Sequence, residues 1–295
     1  MIPAAFAYSR ARTLDEALDL IAGADPAVRV LAGGQSLIPL MKLRLARPER
    51  LVDLGRLPEL RGVRDLPDGG LAIGARTTWA ELLADSRARR YGALADALPA
   101  IGDVQVRNLG TIGGSLAHAD PASDIAGPAL ALEIELVARS AARGERSIAA
   151  RDLFVGAFAT SIEPDEIVTE LRVAPAGTSV SAYQALPQQA SGYPIAGVAV
   201  VLGRGGGGSA PEAGTAASDG FAICAIAVTG VGEQPYRAVE VEQAVLDGTA
   251  FADAVAAVTL GQRVASDIHA DRDYRAAMAA VIARRTLEAA AARLG

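Results

Sequence analysis

Two short segments carry the residue types that could hold an anion. Gly33-Gly34-Gln35-Ser36 follows the apolar run Val28 to Leu31, and Thr111-Ile112-Gly113-Gly114-Ser115 lies further along. Consecutive glycines let backbone N–H groups converge on one point and let a large ligand approach the chain closely. A hydroxyl at the end of each segment adds a donor. Ser36 can also cap a short helix, which would aim helix N–H groups at the same oxygen atoms. Gly113-Gly114 reads as a second glycine turn with Gly114 at positive φ. Singly, a Gly-Gly pair is most often a plain turn. Together the two segments make a candidate dinucleotide site, and residue types alone go no further.

A third glycine run, Gly203-Arg204-Gly205-Gly206-Gly207-Gly208, satisfies G-x-G-x-x-G after a strand. It fails as a nicotinamide fingerprint, because Ser209-Ala210-Pro211 cannot open the helix that must meet the pyrophosphate. We read Gly203 to Gly220 as a hairpin loop rich in Gly, Ala and Ser. Neither histidine is assigned catalysis: His118, in a glycine-rich loop, can as well orient backbone as move protons, and His269 lies between alanine-rich helices with no acidic or nucleophilic constellation at a telling spacing. Cys224 lies in an apolar strand and reads as a core thiol. As the sole cysteine it cannot form an internal disulfide or ligate an iron–sulfur cluster, and redox work therefore requires an organic cofactor.

The elements that must position these segments are legible from periodicity. Thr13 and Thr78 each open a capping box, and Gly23 can end the first helix. Short strands are expected at Val28 to Leu31, Leu51 to Leu54 and Leu71 to Ala75, with a helical turn at Leu37 to Leu43 and a helix at Arg90 to Leu98. Ser123 or Asp124 can cap a helix through Ala126 to Leu132, and strands follow at Glu133 to Ala138 and Ile167 to Val173. After Pro175-Ala176-Gly177 the pattern becomes three strands, Val180 to Leu186, Ile195 to Leu202 and Phe221 to Val228. Alanine-rich helices near 250–265 and 273–292 then predict a small sheet with helices on one face.

The 295 residues are 51% hydrophobic and 21% charged, a balance that excludes a disordered chain. A net charge of −6, with 4% aromatics and no basic block, argues against nucleic-acid binding. With no leader-like N-terminus and no apolar run near 18 residues, the chain reads as cytoplasmic and without a membrane span.

The run Ala32-Gly33-Gly34-Gln35-Ser36-Leu37 with Pro39 to Arg44, and the longer run Arg107 to Asp124, closely resemble the FAD-binding medium subunit of the molybdenum hydroxylases. That family includes the flavoprotein subunits of carbon monoxide dehydrogenase and xanthine dehydrogenase. The resemblance spans essentially the whole chain. It implies an α+β architecture: a two-subdomain FAD-binding fold of the vanillyl-alcohol-oxidase (PCMH) type at 1–177, divided near residue 55, and a C-terminal antiparallel sheet packed with helices at 178–295.

The resemblance also implies the site. Val30, Leu31, Ala32, Gly33, Gly34, Gln35, Ser36 and Leu37, with Thr111, Gly113, Gly114 and Ser115, would hold the FAD diphosphate, and Ser115 stands where the family often has asparagine. Asp124 would take a ribose hydroxyl. Ile101 would pack on the isoalloxazine where some relatives carry an aromatic, and Val168 lies in the strand whose backbone approaches the ring. Gln184 falls where some relatives place a lysine. Tyr193 is a ring-shielding aromatic by position, or a packing residue at a strand start. FAD would be noncovalent. The implied role is electron transfer from an iron–sulfur small subunit with two-iron two-sulfur clusters, beside a molybdopterin-binding large subunit, in a dimer of heterotrimers. The residues alone leave open a nucleotide-binding scaffold or a free-standing flavin oxidoreductase. Substrate and terminal acceptor are not legible in this chain.

Overall fold

A computed structural model describes residues 2–23, 25–204 and 220–295. The chain divides into two compact units. One comprises 1–88, 101–120 and 133–175, and the other 89–100, 121–132 and 176–295.

The first unit contains two larger sheets and a two-stranded ribbon, Phe154–Gly156 with Ala159–Thr160. Strands Ala7–Arg10, Arg50–Asp53 and Val28–Leu31 form a parallel three-stranded sheet in that spatial order. The crossover between the first and third of these is helix Leu14–Ile21, whose Ala17, Leu18 and Ile21 are buried. Thr13 caps it by accepting the Glu16 N–H, but Glu16 accepts from Arg12 rather than from Thr13, so only half of the expected capping box forms. Thr78 forms the complete box with Glu81. The second sheet is antiparallel, with Val63–Asp65, Leu71–Gly74, Glu166–Val173, Glu135–Ser140 and Gly144–Ala149 side by side. Ile167 joins Leu18, Ile21, Val52 and Leu60 in one buried apolar cluster.

The second unit is built on the antiparallel strands Val180–Pro187, Pro194–Arg204, Phe221–Thr229 and Tyr236–Arg237, paired in chain order. Val198, Val200, Ile226 and Val228 share a buried cluster with Val241, Ala279, Ile282 and Leu287 from helices Val239–Leu246 and Arg272–Arg293. Alternation puts Ala199 and Ala227 on the opposite face, where a Cβ at Gly127 of helix Ala126–Ala131 would lie 3.5 Å from Ala199 Cβ. Helices therefore cover both faces, not one. The residues near 250–265 form only Phe251–Ala254 and a following 3-10 turn. Residues 205–219, most of the expected hairpin loop and of the third glycine run, lie outside the described residues. No helix among the described residues is long and apolar enough to cross a membrane.

Candidate functional site

In a parallel sheet all strands end on one edge. Arg10, Leu31 and Asp53 occupy that carboxyl edge of the three-stranded sheet, and residues 32–36 leave from it. Val30 and Leu31 lie in the strand, Ala32 to Ser36 form the turn, and Leu37 begins helix Leu37–Lys42. Gly34 has φ +73°, which glycine adopts without cost. Gly34 and Ser36 carbonyls accept from Ile38 and Leu40. Among the described residues no protein acceptor faces the N–H groups of Gly33, Gly34, Gln35 and Ser36. Half-buried donors without partners are costly unless a ligand or water takes them. Ser36 sits in helical conformation and makes no side-chain cap, contrary to the sequence expectation.

The second segment is not a turn. Gly113, Gly114 and Ser115 lie in the first turn of helix Ile112–His118, and Gly114 is not at positive φ. Thr111 caps this helix by accepting the Gly114 N–H. Ile112 and Gly113 donate to the carbonyls of Thr77 and Ala75, and Trp79 donates to the Gly110 carbonyl. The N–H groups of Ile112, Gly113 and Gly114 are thus consumed by the chain itself. What this segment offers a ligand is the Thr111 hydroxyl proton, for which the described residues hold no acceptor.

The fold brings the two segments together. A Cβ at Gly33 would lie 2.2 Å from the Leu109 carbonyl oxygen and 2.8 Å from Gly110 Cα, and one at Gly114 would lie 3.7 Å from Ala32 Cβ. Gly113 is equally constrained, its missing Cβ 2.5 Å from Ala75 Cβ. Gly33 and Gly113 serve close backbone approach, whereas a Cβ at Gly114 would crowd the Thr111 hydroxyl oxygen at 2.7 Å. The result is a cradle of unpaired N–H groups beside a hydroxyl, with the chemistry of an anion site. The nearby Asp53 carboxylate is kept from opposing an anion because Tyr8, Arg10 and the Gly55 N–H all donate to it. Burial raises its pKa, and these donors outweigh burial to hold it below the ordinary carboxylate value.

Ile101 precedes helix Val104–Leu109, and its carbonyl accepts from the Arg107 guanidinium. Val168 is buried in strand Glu166–Val173, against which helix Ile112–His118 packs. His118 ends that helix with its ring 5.2 Å from the ring of Phe158, and burial lowers its pKa, partly opposed by Asp120. Among the described residues no group of His, Cys, Asp or Glu is arranged to hold a metal.

The remaining expected residues belong to the second unit. Asp124 does not cap a helix: the cap position of Ala126–Ala131 is Ile125, and Asp124 Oδ1 instead accepts from the Tyr183 hydroxyl at 2.7 Å. Burial pushes the Asp124 carboxyl up to about 6, against the lowering effect of the Tyr183 hydroxyl and its own backbone N–H. Gln184 is half-buried in strand Val180–Pro187, and Tyr193 is exposed in the turn before Pro194–Arg204. Sequence reasoning does not single out Tyr183. The available signal is a tyrosine amid an apolar strand, since a buried tyrosine needs a partner for its hydroxyl.

Residues 4–176 match the family described as the FAD binding domain in molybdopterin dehydrogenase, and residues 181–290 match the CO dehydrogenase flavoprotein C-terminal domain. The carbon monoxide dehydrogenase medium chain of Hydrogenophaga pseudoflava is 35% identical over 295 residues, 99% of each chain. The glyceraldehyde dehydrogenase medium chain of Sulfolobus acidocaldarius is 36% identical over 276 residues, covering 93% of this chain and 92% of that one. A solved carbon monoxide dehydrogenase of H. pseudoflava, lacking the Mo-pyranopterin moiety of its cofactor, contains a chain that superposes with a TM-score of 0.89 at 36% identity, over 99% of each.

Proposed function

This chain belongs to the family of FAD-binding medium subunits of molybdenum hydroxylases, and from that premise we propose that it binds FAD noncovalently and relays electrons from an iron–sulfur subunit to a terminal acceptor. It is an FAD-dependent oxidoreductase subunit. When bound, FAD supplies a carrier that links one-electron and two-electron transfer.

The observation that carries the reading is the cradle formed by residues 32–36 and Thr111. The unpaired N–H groups of Gly33 to Ser36 would take the diphosphate oxygens, Thr111 would donate its hydroxyl to them, and Gly33 and Gly113 allow the backbones to close around the group. Leu37 and Ser115 flank these donors. Ile101 and Val168 are assigned to the ring, Gln184 and Tyr193 to its surroundings, and Asp124 to a ribose hydroxyl. His118 and Cys224 are assigned no part: burial lowers the imidazole pKa, partly opposed by Asp120, and raises the thiol to about 12, so the thiol is no ready nucleophile.

The assembly we infer pairs this chain with a molybdopterin-binding large subunit and a small subunit with two-iron two-sulfur clusters, as a dimer of heterotrimers. Domain limits at 1–177 and 178–295 belong to the same reading. The relatives' names as medium chains support partner subunits in general. A visible spectrum of the purified chain tests the core claim. A flavin spectrum bleached by dithionite is expected, and a colourless protein that binds nucleotide without redox change would point to a scaffold.

A further inference from the structure

Asp124 and Tyr183 are 59 residues apart, both buried, and joined by a 2.7 Å hydrogen bond within the second unit. The backbone of Tyr183 is tied down and its side chain is buried. Its N–H donates to Asp96 Oδ2 at 3.0 Å, and Asp96 Oδ1 accepts from Arg293 at 2.9 Å. A Cβ at Gly197 would lie 2.4 Å from the Tyr183 hydroxyl oxygen, so glycine on the neighbouring strand makes the room that the phenol occupies. On the other side, the segment that carries Asp124 is tied down by Thr229, which donates to the Pro121 and Ser123 carbonyls. Tyr183 is the only side chain among the described residues that donates to Asp124.

We propose that Tyr183 is a positioning residue: its hydroxyl fixes one oxygen of Asp124 and so presents the carboxylate, ionised and in one orientation, to a hydroxyl of the ligand's ribose. The proposal rests on the assignment of Asp124 to that ribose. Tyr183 suits the task because burial, then the adjacent carboxylate, raise its pKa well above the ordinary phenol value, and it stays a donor throughout. Its donation favours the charged form of Asp124, and a charged acceptor binds a hydroxyl about twice as strongly as a neutral one. Of the charged groups near the pair, Asp96 and Arg293 neutralise one another on the backbone side of Tyr183 and do not touch Asp124.

FAD affinity is to be measured by flavin fluorescence on the full chain from about pH 5 to about pH 8, a window that spans the Asp124 transition near 6. Wild-type affinity should fall as pH drops through that transition. Asp124→Asn should bind about tenfold more weakly and show no inflection. Tyr183→Phe should also weaken binding and move the inflection to higher pH, because the lost donor no longer favours the carboxylate. If Asp124→Asn matches wild type, the ribose assignment fails. If Asp124→Asn weakens binding but Tyr183→Phe changes neither affinity nor inflection, the positioning role alone is wrong. Should Tyr183→Phe misfold, 3-fluorotyrosine at position 183 keeps the hydroxyl and reports by ¹⁹F NMR on the apo chain. Its resonance should titrate with Asp124 and lose that titration in Asp124→Asn, and a titration unaffected by that change would refute the coupling.

Discussion

The position that a Cβ would occupy on Gly33 lies 2.2 Å from the carbonyl oxygen of Leu109. No backbone atom on either side can yield without moving a strand end or a helix end, so the contact between the two glycine segments depends on this one missing methyl. At Gly34 the obstruction is different in kind. There a Cβ would meet the tip of the Ile38 side chain at 2.8 Å, which can rotate away, although φ +73° still strains any L residue.

Gly33→Ala should therefore lose most of its flavin and cost about 3 kcal/mol of stability, whereas Gly34→Ala should cost about 1–2 kcal/mol and retain part of its flavin. The flavin-to-protein absorbance ratio and urea unfolding midpoints check both. Equal behaviour of the two variants would mean that the Leu109 contact is not what limits the site.

The cap on helix Ile112–His118 carries a second expectation. Thr111→Val removes both the bond to the Gly114 N–H and the hydroxyl proton aimed at the ligand, while Thr13→Ala removes only a cap, that of helix Leu14–Ile21. Each should cost about 1 kcal/mol in stability. Only Thr111→Val should also weaken FAD binding, by about tenfold, and Thr111→Ser should restore it. Parallel loss of flavin in Thr13→Ala would reduce the Thr111 effect to helix stability.

The residue types of the candidate site stand out in the sequence, because glycine pairs and hydroxyls behind apolar runs announce themselves. What local sequence does not show is which donors the fold consumes. Thr111-Ile112-Gly113-Gly114 looks like a free loop, yet tertiary acceptors at Thr77 and Ala75 capture its first N–H groups. The same limit explains Asp124, whose side chain abandons a local cap for a tyrosine brought in by a distant strand. Strand Ala7–Arg10 escapes sequence reading for a related reason. Its exposed Tyr8 and Arg10 give it no alternating pattern, and pairing with Arg50–Asp53 together with the shared Asp53 hydrogen bonds hold it. Helix coverage of both faces of the C-terminal sheet is hidden because Ala199 and Ala227 read as equally at home on a bare face or a packed one.

FAD should be released by acid. Trichloroacetic acid precipitation of the yellow protein should leave the colour in the supernatant, since no histidine or cysteine is assigned to the site. Colour that pellets with the protein would establish a covalent link.

Acid should weaken the second unit through Asp267. Burial alone would raise its pKa, but the Arg275 guanidinium and the N–H groups of His269 and Ala270 bring it down to about 2. A carboxylate with a lowered folded-state pKa contributes fully above its unfolded value of 3.8 and loses that contribution as pH falls toward 2. Because this side chain is half exposed, the contribution is only about 1 kcal/mol. Asp267→Asn should be less stable than wild type near neutrality, with the gap closing between about pH 4 and about pH 2. A gap independent of pH would assign the effect to lost turn hydrogen bonds rather than to charge.

Labour in the complete reaction should be divided among chains. The sole cysteine, Cys224, cannot by itself ligate an iron–sulfur cluster, and the proposed relay puts substrate oxidation on partner chains. The isolated flavin-loaded chain should oxidise an added artificial reductant slowly and leave aldehydes, heterocycles and carbon monoxide untouched. Adding an iron–sulfur subunit and a molybdenum subunit should make flavin bleaching by substrate fast, and omitting the iron–sulfur subunit should abolish it even when the molybdenum subunit is present. Stopped-flow absorbance of the flavin reads all three mixtures. If the chain alone, shown by metal analysis to be free of iron and molybdenum, hydroxylated a substrate at the rate of the full assembly, it would be a self-sufficient oxidoreductase and the relay assignment would fall.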